Sequence, residues 1–180
     1  GDEKQLSAIT DLKIETDLPQ EYRYDDNTFL NSVKNVFDPI EQTLEEHYRC
    51  DYNIISFCNK FYYDNKLKIY TNATPSSIEI VDADKYKGAD SRNGSFYNER
   101  ECHTIESLVN KQDDYFVITP YKEQGNLLKS KFEPQRAGTI HTFQGKGAKK
   151  VYFSTVLNDL NACNIHIRKG HNMFTKELVN

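Results

Sequence analysis

The sequence has no tryptophan, one methionine, five prolines and eight glycines in 180 residues. It also lacks any apolar run near the roughly 20 residues that a membrane-spanning helix requires, so we predict no membrane span and no membrane partner. Hydrophobic residues make up 37% of the chain and include twelve tyrosines and ten phenylalanines. This composition is typical of a soluble globular domain, and the length suffices for one domain with a sizeable core.

The four cysteines form no C-x-x-C pair, which argues against a zinc site. Cys102 precedes His103, and Cys163 lies three residues before His166, but no further ligand accompanies either pair. Isolated thiols in a reduced compartment are the preferred interpretation. We therefore predict no metal ligands in this chain and a cytoplasmic location, associated with the nucleoid if the source is bacterial.

A phosphate loop of the G-x-x-x-x-G-K-[S/T] type is missing. Gly145-Lys146 only echoes it, because Gly147 stands where Ser or Thr is required and no glycine lies five residues before Gly145. The chain therefore has no phosphate-loop site of its own.

The overall positive charge of a simple nucleic-acid binder is also missing, since the formal net charge is −4. The charge is uneven, however. Residues 120–150 carry seven Lys or Arg and two Glu, a net +5, whereas residues 1–119 carry −10. A local basic zone is compatible with phosphate contact. For Lys129 and Lys131, a solvated face remains the plainer interpretation.

Apolar spacing predicts several helices and strands. Residues 44–67 form the clearest helical stretch, with Asp51 as a candidate N-cap and a core face of Ile54, Phe57, Cys58, Phe61 and Tyr62. Another helix is predicted through Phe29, Leu30, Val33 and Phe37, with its cap among residues 25–28 and its end at Asp38-Pro39. Further helices are predicted over 98–110 and 124–131. Strands are predicted over 77–81, 115–119, 139–143 and 151–156. The strand 115–119 is of the buried parallel type.

The stretch 137–146, AGTIHTFQGK, combines the predicted strand 139–143 with a polar turn that contains Gly145. In open α/β sheets such turns aim backbone N–H groups at phosphates. An ordinary turn between two strands remains the alternative.

Four motifs follow one another along the chain. They are G-D-x-x-Q-L at 1–6, Y-R at 48–49 before a helix with I-x-x-F and F-Y, V-I-T-P-Y at 117–121 and T-I-H-T-F-Q-G-K at 139–146. Each motif alone is weak, but the ordered set is specific, spans nearly the whole chain and resembles the superfamily 1 nucleic-acid helicases, in the branch with Gln-Gly in motif V. The resemblance implies an α/β, RecA-like domain of the P-loop NTPase type, with a parallel sheet flanked by helices.

The resemblance also implies a domain organisation. Residues 1–10 would end a first RecA-like domain, 11–43 would connect two domains, and 44–180 would form the second, truncated at its C-terminus. The chain is then expected to be a piece of a longer protein, whose other parts supply the phosphate loop, the Mg²⁺-binding acid and the arginine finger. ATP and Mg²⁺ would be cofactors of that parent, and this chain alone is expected not to hydrolyse ATP.

Roles for individual residues follow from the same resemblance. ATP would be contacted by Gln5, which senses the terminal phosphate, by Arg49, which reaches the γ-phosphate, and by Gln144, Gly145 and Lys146. Single-stranded DNA or RNA would be contacted by Thr119, Pro120, Tyr121, His141 and Thr142. The side chains suit these roles, because the Arg fork fits phosphate oxygens, Thr hydroxyls hold phosphodiesters and Tyr rings pack on sugars or bases. An ion pair of Arg49 with Asp51 or Glu45 and a merely buried Tyr121 are the alternatives.

One position departs from the family pattern. The family usually has a Glu that contacts the nucleotide ribose where this chain has Gly147. This departure favours a rival interpretation, a non-catalytic nucleic-acid-binding or interaction module from a degenerate helicase. A second rival is an unrelated flavodoxin-like domain that binds a small nucleotide, in which case the motif matches arise by chance.

Overall fold

The computed structural model describes residues 2, 4–6, 17–23, 27–75, 77–83 and 89–157. The backbone divides into two compact units, with the division between Glu79 and Ile80. Each unit has its own elements. No helix in the described ranges is both long and apolar enough to cross a membrane.

The first unit contains two helices and a small parallel sheet. A 3-10 turn at Gln20–Tyr22 precedes α1, Phe29–Phe37, and these are followed by β1, Glu46–His47, α2, Tyr52–Tyr62, and β2, Lys68–Ile69. Strands β1 and β2 pair in parallel.

Polar side chains begin both helices of this unit, as the sequence predicts. The Thr28 hydroxyl accepts a hydrogen bond from the Asn31 N–H, and a carboxyl oxygen of Asp51 accepts one from the Asn53 N–H. Each bond satisfies a backbone donor that has no partner inside the helix. Helix α1 ends at Phe37, and the next residue, Asp38, takes a left-handed conformation with φ of 43°.

The predicted core face of α2 is largely wrong. Ile55, Cys58 and Asn59 are the buried residues of this helix. Ile54, Phe57 and Phe61 are 41%, 42% and 61% exposed within the described structure. The buried face includes Asn59, whose side chain bonds both backbone groups of Leu67.

The second unit is built on a parallel sheet. A hairpin of β3, Asp90–Arg92, and β4, Ser95–Tyr97, leads into α3, Glu99–Leu108. Then follow β5, Tyr115–Thr119, α4, Lys122–Lys131, β6, Ala137–Thr139, α5, Ile140–Phe143, and β7, Lys150–Phe153. Strand β5 lies between β6 and β7, and both pairings are parallel. The α/β class is confirmed, with the helix-flanked parallel sheet of RecA-like, P-loop NTPase-type domains.

The core of this unit lies between the sheet and helices α3 and α4. It consists of Cys102, Ile105, Tyr115, Val117, Leu128, Phe132 and Ala137. Burial raises the pKa of the Cys102 thiol to about 11, so this cysteine is an inert core residue at neutral pH.

Two predicted strands are corrected by the structure. Residues 77–81 form no strand, and the strand predicted at 139–143 stops at Thr139 because residues 140–143 turn into helix α5. The hairpin of β3 and β4, which was not predicted, lies before residue 98. Its reversal uses Asn93 and Gly94, both with positive φ, as hairpin turns of two residues require.

Candidate nucleotide and nucleic-acid sites

The carboxyl ends of β5 and β6 lie side by side. Thr119 is in register with Thr139, so V-I-T-P-Y and T-I-H-T-F-Q-G-K meet at one edge of the sheet. Ligands of open α/β sheets gather at this edge. The pairing therefore brings the two motifs side by side, as a binding site formed by both of them would require.

At this edge the β5 motif is mostly covered. Thr119 is fully buried, and its hydroxyl accepts a hydrogen bond from the Tyr121 N–H at 3.4 Å, while Pro120 is partly exposed. Tyr121 is 3% exposed and meets the Phe96 ring of the hairpin edge-on, with the ring centres 5.8 Å apart. The buried tyrosine is therefore the observed arrangement, and a base stacked on this ring would require the hairpin to move. Nucleic-acid contact by these three residues stays a prediction.

The β6 motif is more open. His141 and Thr142 lie on the helical turn α5, with Thr142 exposed and His141 half-buried. The Thr142 and Thr139 hydroxyls are 3.2 Å apart, within hydrogen-bond distance. The helical turn, which the sequence missed, thus leaves a hydroxyl and an imidazole accessible at the end of β6.

The segment predicted to face the nucleotide is exposed. Gln144, Gly145 and Lys146 all lie on the surface, and Gly145 has φ of 79°, which favours glycine. The Lys146 N–H donates to the Phe143 carbonyl at 2.9 Å, and its ammonium lies 5.2 Å from the centre of the Phe143 ring. At Gly147 a Cβ would meet no heavy atom within 4 Å, so the space where a side chain would begin is open.

A buried polar network next to this edge was not predicted. Glu101 in α3 is 6% exposed, and both of its carboxyl oxygens accept from the Val156 N–H at 3.0 Å. The Ser154 hydroxyl donates to the same carboxyl group and accepts from the Gln124 amide at 2.9 Å. Glu101 thereby fastens the chain that follows β7 to helix α3.

The fastened segment is strained. Val156 has φ of 66°, a left-handed conformation that costs a branched residue on the order of 1–3 kcal/mol. Its side chain is fully buried and packs with Tyr121 and Leu157. The bonds to Glu101 hold the strained conformation, and Val156 in turn supports the buried Tyr121.

One sequence signal could have revealed this network. Glu101 lies four residues before Ile105 and therefore on the core face of α3. A carboxyl group in that position requires buried donors. Ser154, in the strand predicted at 151–156, offered no comparable signal because its partners are distant in sequence.

In the first unit, Arg49 follows β1 and is exposed. Among the described residues it forms no ion pair; Glu45 pairs with Lys68 at 3.2 Å, and Asp51 accepts from backbone N–H groups of Asn53 and Thr74. The proposed ion pairs of Arg49 are therefore not seen. Its guanidinium is accessible to an anion.

Gln5 is also exposed and belongs to the first unit. Its side-chain amide donates to a carboxyl oxygen of Asp2 at 3.1 Å, and that oxygen also accepts from the Tyr63 hydroxyl at 2.7 Å. Burial, followed by this hydrogen bond, raises the pKa of Tyr63. The contact of Gln5 with a nucleotide stays a prediction.

His47 anchors the backbone beside Arg49. The Cys50 N–H donates to Nε2 of His47 at 2.8 Å, and the Thr71 hydroxyl donates to the Cys50 carbonyl at 2.6 Å. Burial, and then the charge of Arg49, lower the pKa of His47 below its ordinary 6.5. Only an unprotonated Nε2 can accept the bond.

We expect acid to release the Cys50 amide. Because folding lowers the pKa of His47, the stability from this bond is complete above about pH 6.5 and is lost as the pH falls through the folded value. In two-dimensional NMR the Cys50 amide resonance should move with a midpoint below 6.5, and His47→Gln should abolish that transition. A midpoint at or above 6.5 contradicts the expectation.

The basic zone is partly neutralised by ion pairs. These join Lys150 to Asp113 at 2.6 Å, Arg136 to Glu133 at 3.3 Å and Lys131 to Glu106 at 3.9 Å. Lys122, Lys129, Lys146 and Lys149 form no ion pair with a described carboxylate. Positive charge available to an anion is therefore confined to part of the zone.

Within the part of the chain that the structure describes, no group of three His, Cys, Asp or Glu residues could hold a metal ion. In the second unit the exposed Gln144–Lys146 segment offers donors of the kind that bind phosphate, and in the first unit the exposed Arg49 does so separately. The described residues include no ligand set for Mg²⁺.

Comparison with known proteins gives two findings. A family model described as an AAA domain matches residues 24–176. A protein of Methanocaldococcus jannaschii, described as an uncharacterized ATP-dependent helicase, is 25% identical over 209 aligned positions. The alignment covers 94% of this chain and 30% of that protein, so the chain spans less than a third of this relative's length.

Proposed function

The chain belongs to the AAA domain family, and from this premise we propose that it forms part of an ATP-dependent superfamily 1 nucleic-acid helicase. Residues 44–180 act as its second RecA-like domain. The named activity of the archaeal relative supports this proposal, as does the order of the four motifs. In the complete protein, ATP hydrolysis drives movement along single-stranded DNA or RNA through opening and closing of two domains.

The observation that carries the proposal is the register of β5 with β6. Thr119 lies opposite Thr139, so two motifs meet at one edge of the sheet. We assign V-I-T-P-Y to contacts with the nucleic acid, and T-I-H-T-F-Q-G-K to contacts with both the nucleic acid and the nucleotide. His141 and Thr142 then contact the nucleic-acid backbone, and Gln144, Gly145 and Lys146 contact ATP. Because one short segment contacts both ligands, a change in the bound nucleotide alters the contacts with the bound nucleic acid.

The ATP phosphates are contacted from this chain by Gln5 and Arg49, whose side chains are exposed. Gln5 positions the terminal phosphate or the attacking water, and Arg49 neutralises charge on the γ-phosphate. The chain is a fragment of its parent in this proposal. Mg²⁺ would neutralise phosphate charge when bound, and its ligands would come from the first RecA-like domain of the parent.

Two assays on the 180-residue chain test the proposal. Fluorescence anisotropy with labelled single-stranded DNA and RNA should detect binding that weakens as salt is raised, because phosphate contacts release counterions. A phosphate-release assay should detect no ATP turnover above the buffer rate, because the sequence has no phosphate loop. If neither oligonucleotide binds, the nucleic-acid role is contradicted. If the chain hydrolyses ATP at a helicase rate, the proposal that it is an inactive part of a longer protein is contradicted.

A non-catalytic nucleic-acid-binding or interaction module is the second candidate, favoured by Gly147. The space around residue 147 is open where a side chain would begin, yet the residue there is glycine and not the glutamate of the family pattern. Equilibrium binding of ATP to the parent protein separates the two candidates. Saturable ATP binding that Lys146→Ala weakens supports the motor, and its absence supports the module.

A further inference from the structure

Helix α4 packs unusually close to the end of β6 at Gly125. A Cβ on Gly125 would lie 3.1 Å from Cγ2 of Thr139 and 3.4 Å from its backbone nitrogen. Lys129 follows one helical turn later on the same face of α4. The close packing at Gly125 therefore brings the Lys129 side chain to β6.

Gly138 provides the space into which Lys129 extends. A Cβ on Gly138 would lie 3.1 Å from Cε of Lys129, 3.8 Å from its Nζ and 3.4 Å from Cε2 of Phe143. The end of the lysine side chain thus lies tightly against the place where any other residue at 138 would begin its own. Its ammonium lies beside β6 at Gly138, immediately before Thr139.

The charge at this place is not neutralised within the described structure. Lys129 forms no ion pair with a described carboxylate, whereas Lys131, two residues further on in α4, pairs with Glu106 at 3.9 Å. A second ammonium, that of Lys146, lies 5.2 Å from the centre of the Phe143 ring. The exposed Thr142 hydroxyl belongs to the same strand end.

We propose that Lys129 is a further phosphate-contacting residue for single-stranded DNA or RNA, held at the end of β6 by Gly125 and Gly138. This role of Lys129 rests on the proposed nucleic-acid contacts of this sheet edge. A polynucleotide matches the arrangement better than a single phosphate, because the positive charges and the hydroxyl extend along the chain from Gly138 to Lys146. An ammonium acts here as a compact point charge and reads no base sequence.

The test compares the full chain with Lys129→Ala, Lys129→Arg and, as the matched control, Lys131→Ala. Affinities for labelled oligo-dT and oligo-U are measured over a range of salt concentrations. Lys129→Ala should weaken binding several-fold at low salt and reduce the slope of log K against log salt by about 0.7, the contribution of one single-strand phosphate contact. Lys129→Arg should keep the slope, and Lys131→Ala should match the wild type.

The outcomes separate this inference from the function on which it rests. A wild-type chain that binds neither oligonucleotide overturns both. A wild type that binds, together with an unchanged slope in Lys129→Ala or an equal loss in Lys131→Ala, overturns the role of Lys129 alone. A labelled ATP analogue provides the third arm: Lys129→Ala should leave its affinity unchanged, and a larger loss for ATP than for oligonucleotides assigns Lys129 to the nucleotide instead.

Discussion

Glu101→Ala is expected to lower the free energy of unfolding of the second unit by about 3 kcal/mol, a factor of roughly 150 in the folding equilibrium. The substitution leaves the buried Val156 N–H without its acceptor, takes one partner from the Ser154 hydroxyl and opens a cavity. It also removes the bonds that hold the left-handed conformation of Val156. Urea denaturation followed by circular dichroism measures the loss, and hydrogen exchange at the Val156 amide locates it.

Two variants serve as controls for this prediction. Glu101→Gln keeps the volume and one acceptor oxygen, so its loss should be smaller than that of Glu101→Ala. Glu106→Ala lies on the same helix but removes only a surface ion pair with Lys131, which is worth at most about 1 kcal/mol. If Glu101→Ala is no more destabilising than Glu106→Ala, the network is not a major source of stability.

Arg49→Ala should have the largest effect on activity. In the longer helicase that we propose as the parent of this chain, kcat for ATP hydrolysis should fall by about 10³-fold, because an arginine on the transferred phosphate stabilises the transition state. Steady-state phosphate release at saturating ATP measures the effect. Arg49→Lys should restore only part of the rate, because the ammonium lacks the fork that binds two oxygens at once.

The matched control for Arg49 is Lys60→Ala, which removes a positive charge from the same unit where Lys60 lies beside the Phe61 ring. It should leave kcat within about threefold of the wild type. If the two substitutions lower kcat equally, the effect of Arg49→Ala would come from the loss of a positive charge and not from a specific contact with the phosphate. An unchanged rate in Arg49→Ala would remove it from the nucleotide site.

Local signals predicted much of the secondary structure. Thr28 and Asp51 begin α1 and α2 as capping rules require, and the apolar run 115–119 is the central parallel strand. These features depend on neighbours within a few residues, so the sequence displays them directly. The α/β class was predicted by a different route, as what the resemblance carried by the four ordered motifs implies.

Features set by distant contacts were missed. The strand predicted at 139–143 stops at Thr139, against which Gly125 of helix α4 packs. Phe143 then packs on Phe116, with the two ring centres 4.5 Å apart. The buried face of α2 carries Asn59, which bonds both backbone groups of Leu67, and not the largest apolar side chains. Neither contact can be read from periodicity alone.

The candidate sites show the same division. The motifs contain Thr119 and Thr139, which the structure places in register on paired strands. The cover that the Phe96 ring provides over Tyr121 depends on a hairpin that no motif marks. The roles of the site residues therefore remain predictions. The carboxyl group of Glu101 was missed because its donors lie more than fifty residues further along the chain.

The strand order β6-β5-β7 has a consequence for biosynthesis. The middle strand leaves the ribosome first, and both of its neighbours emerge later, each after a crossover. Until Phe153 has cleared the exit tunnel, one edge of β5 presents open backbone donors and acceptors to any other nascent chain. Slow codons placed shortly before β7 should therefore lengthen the interval in which chaperones must shield this edge.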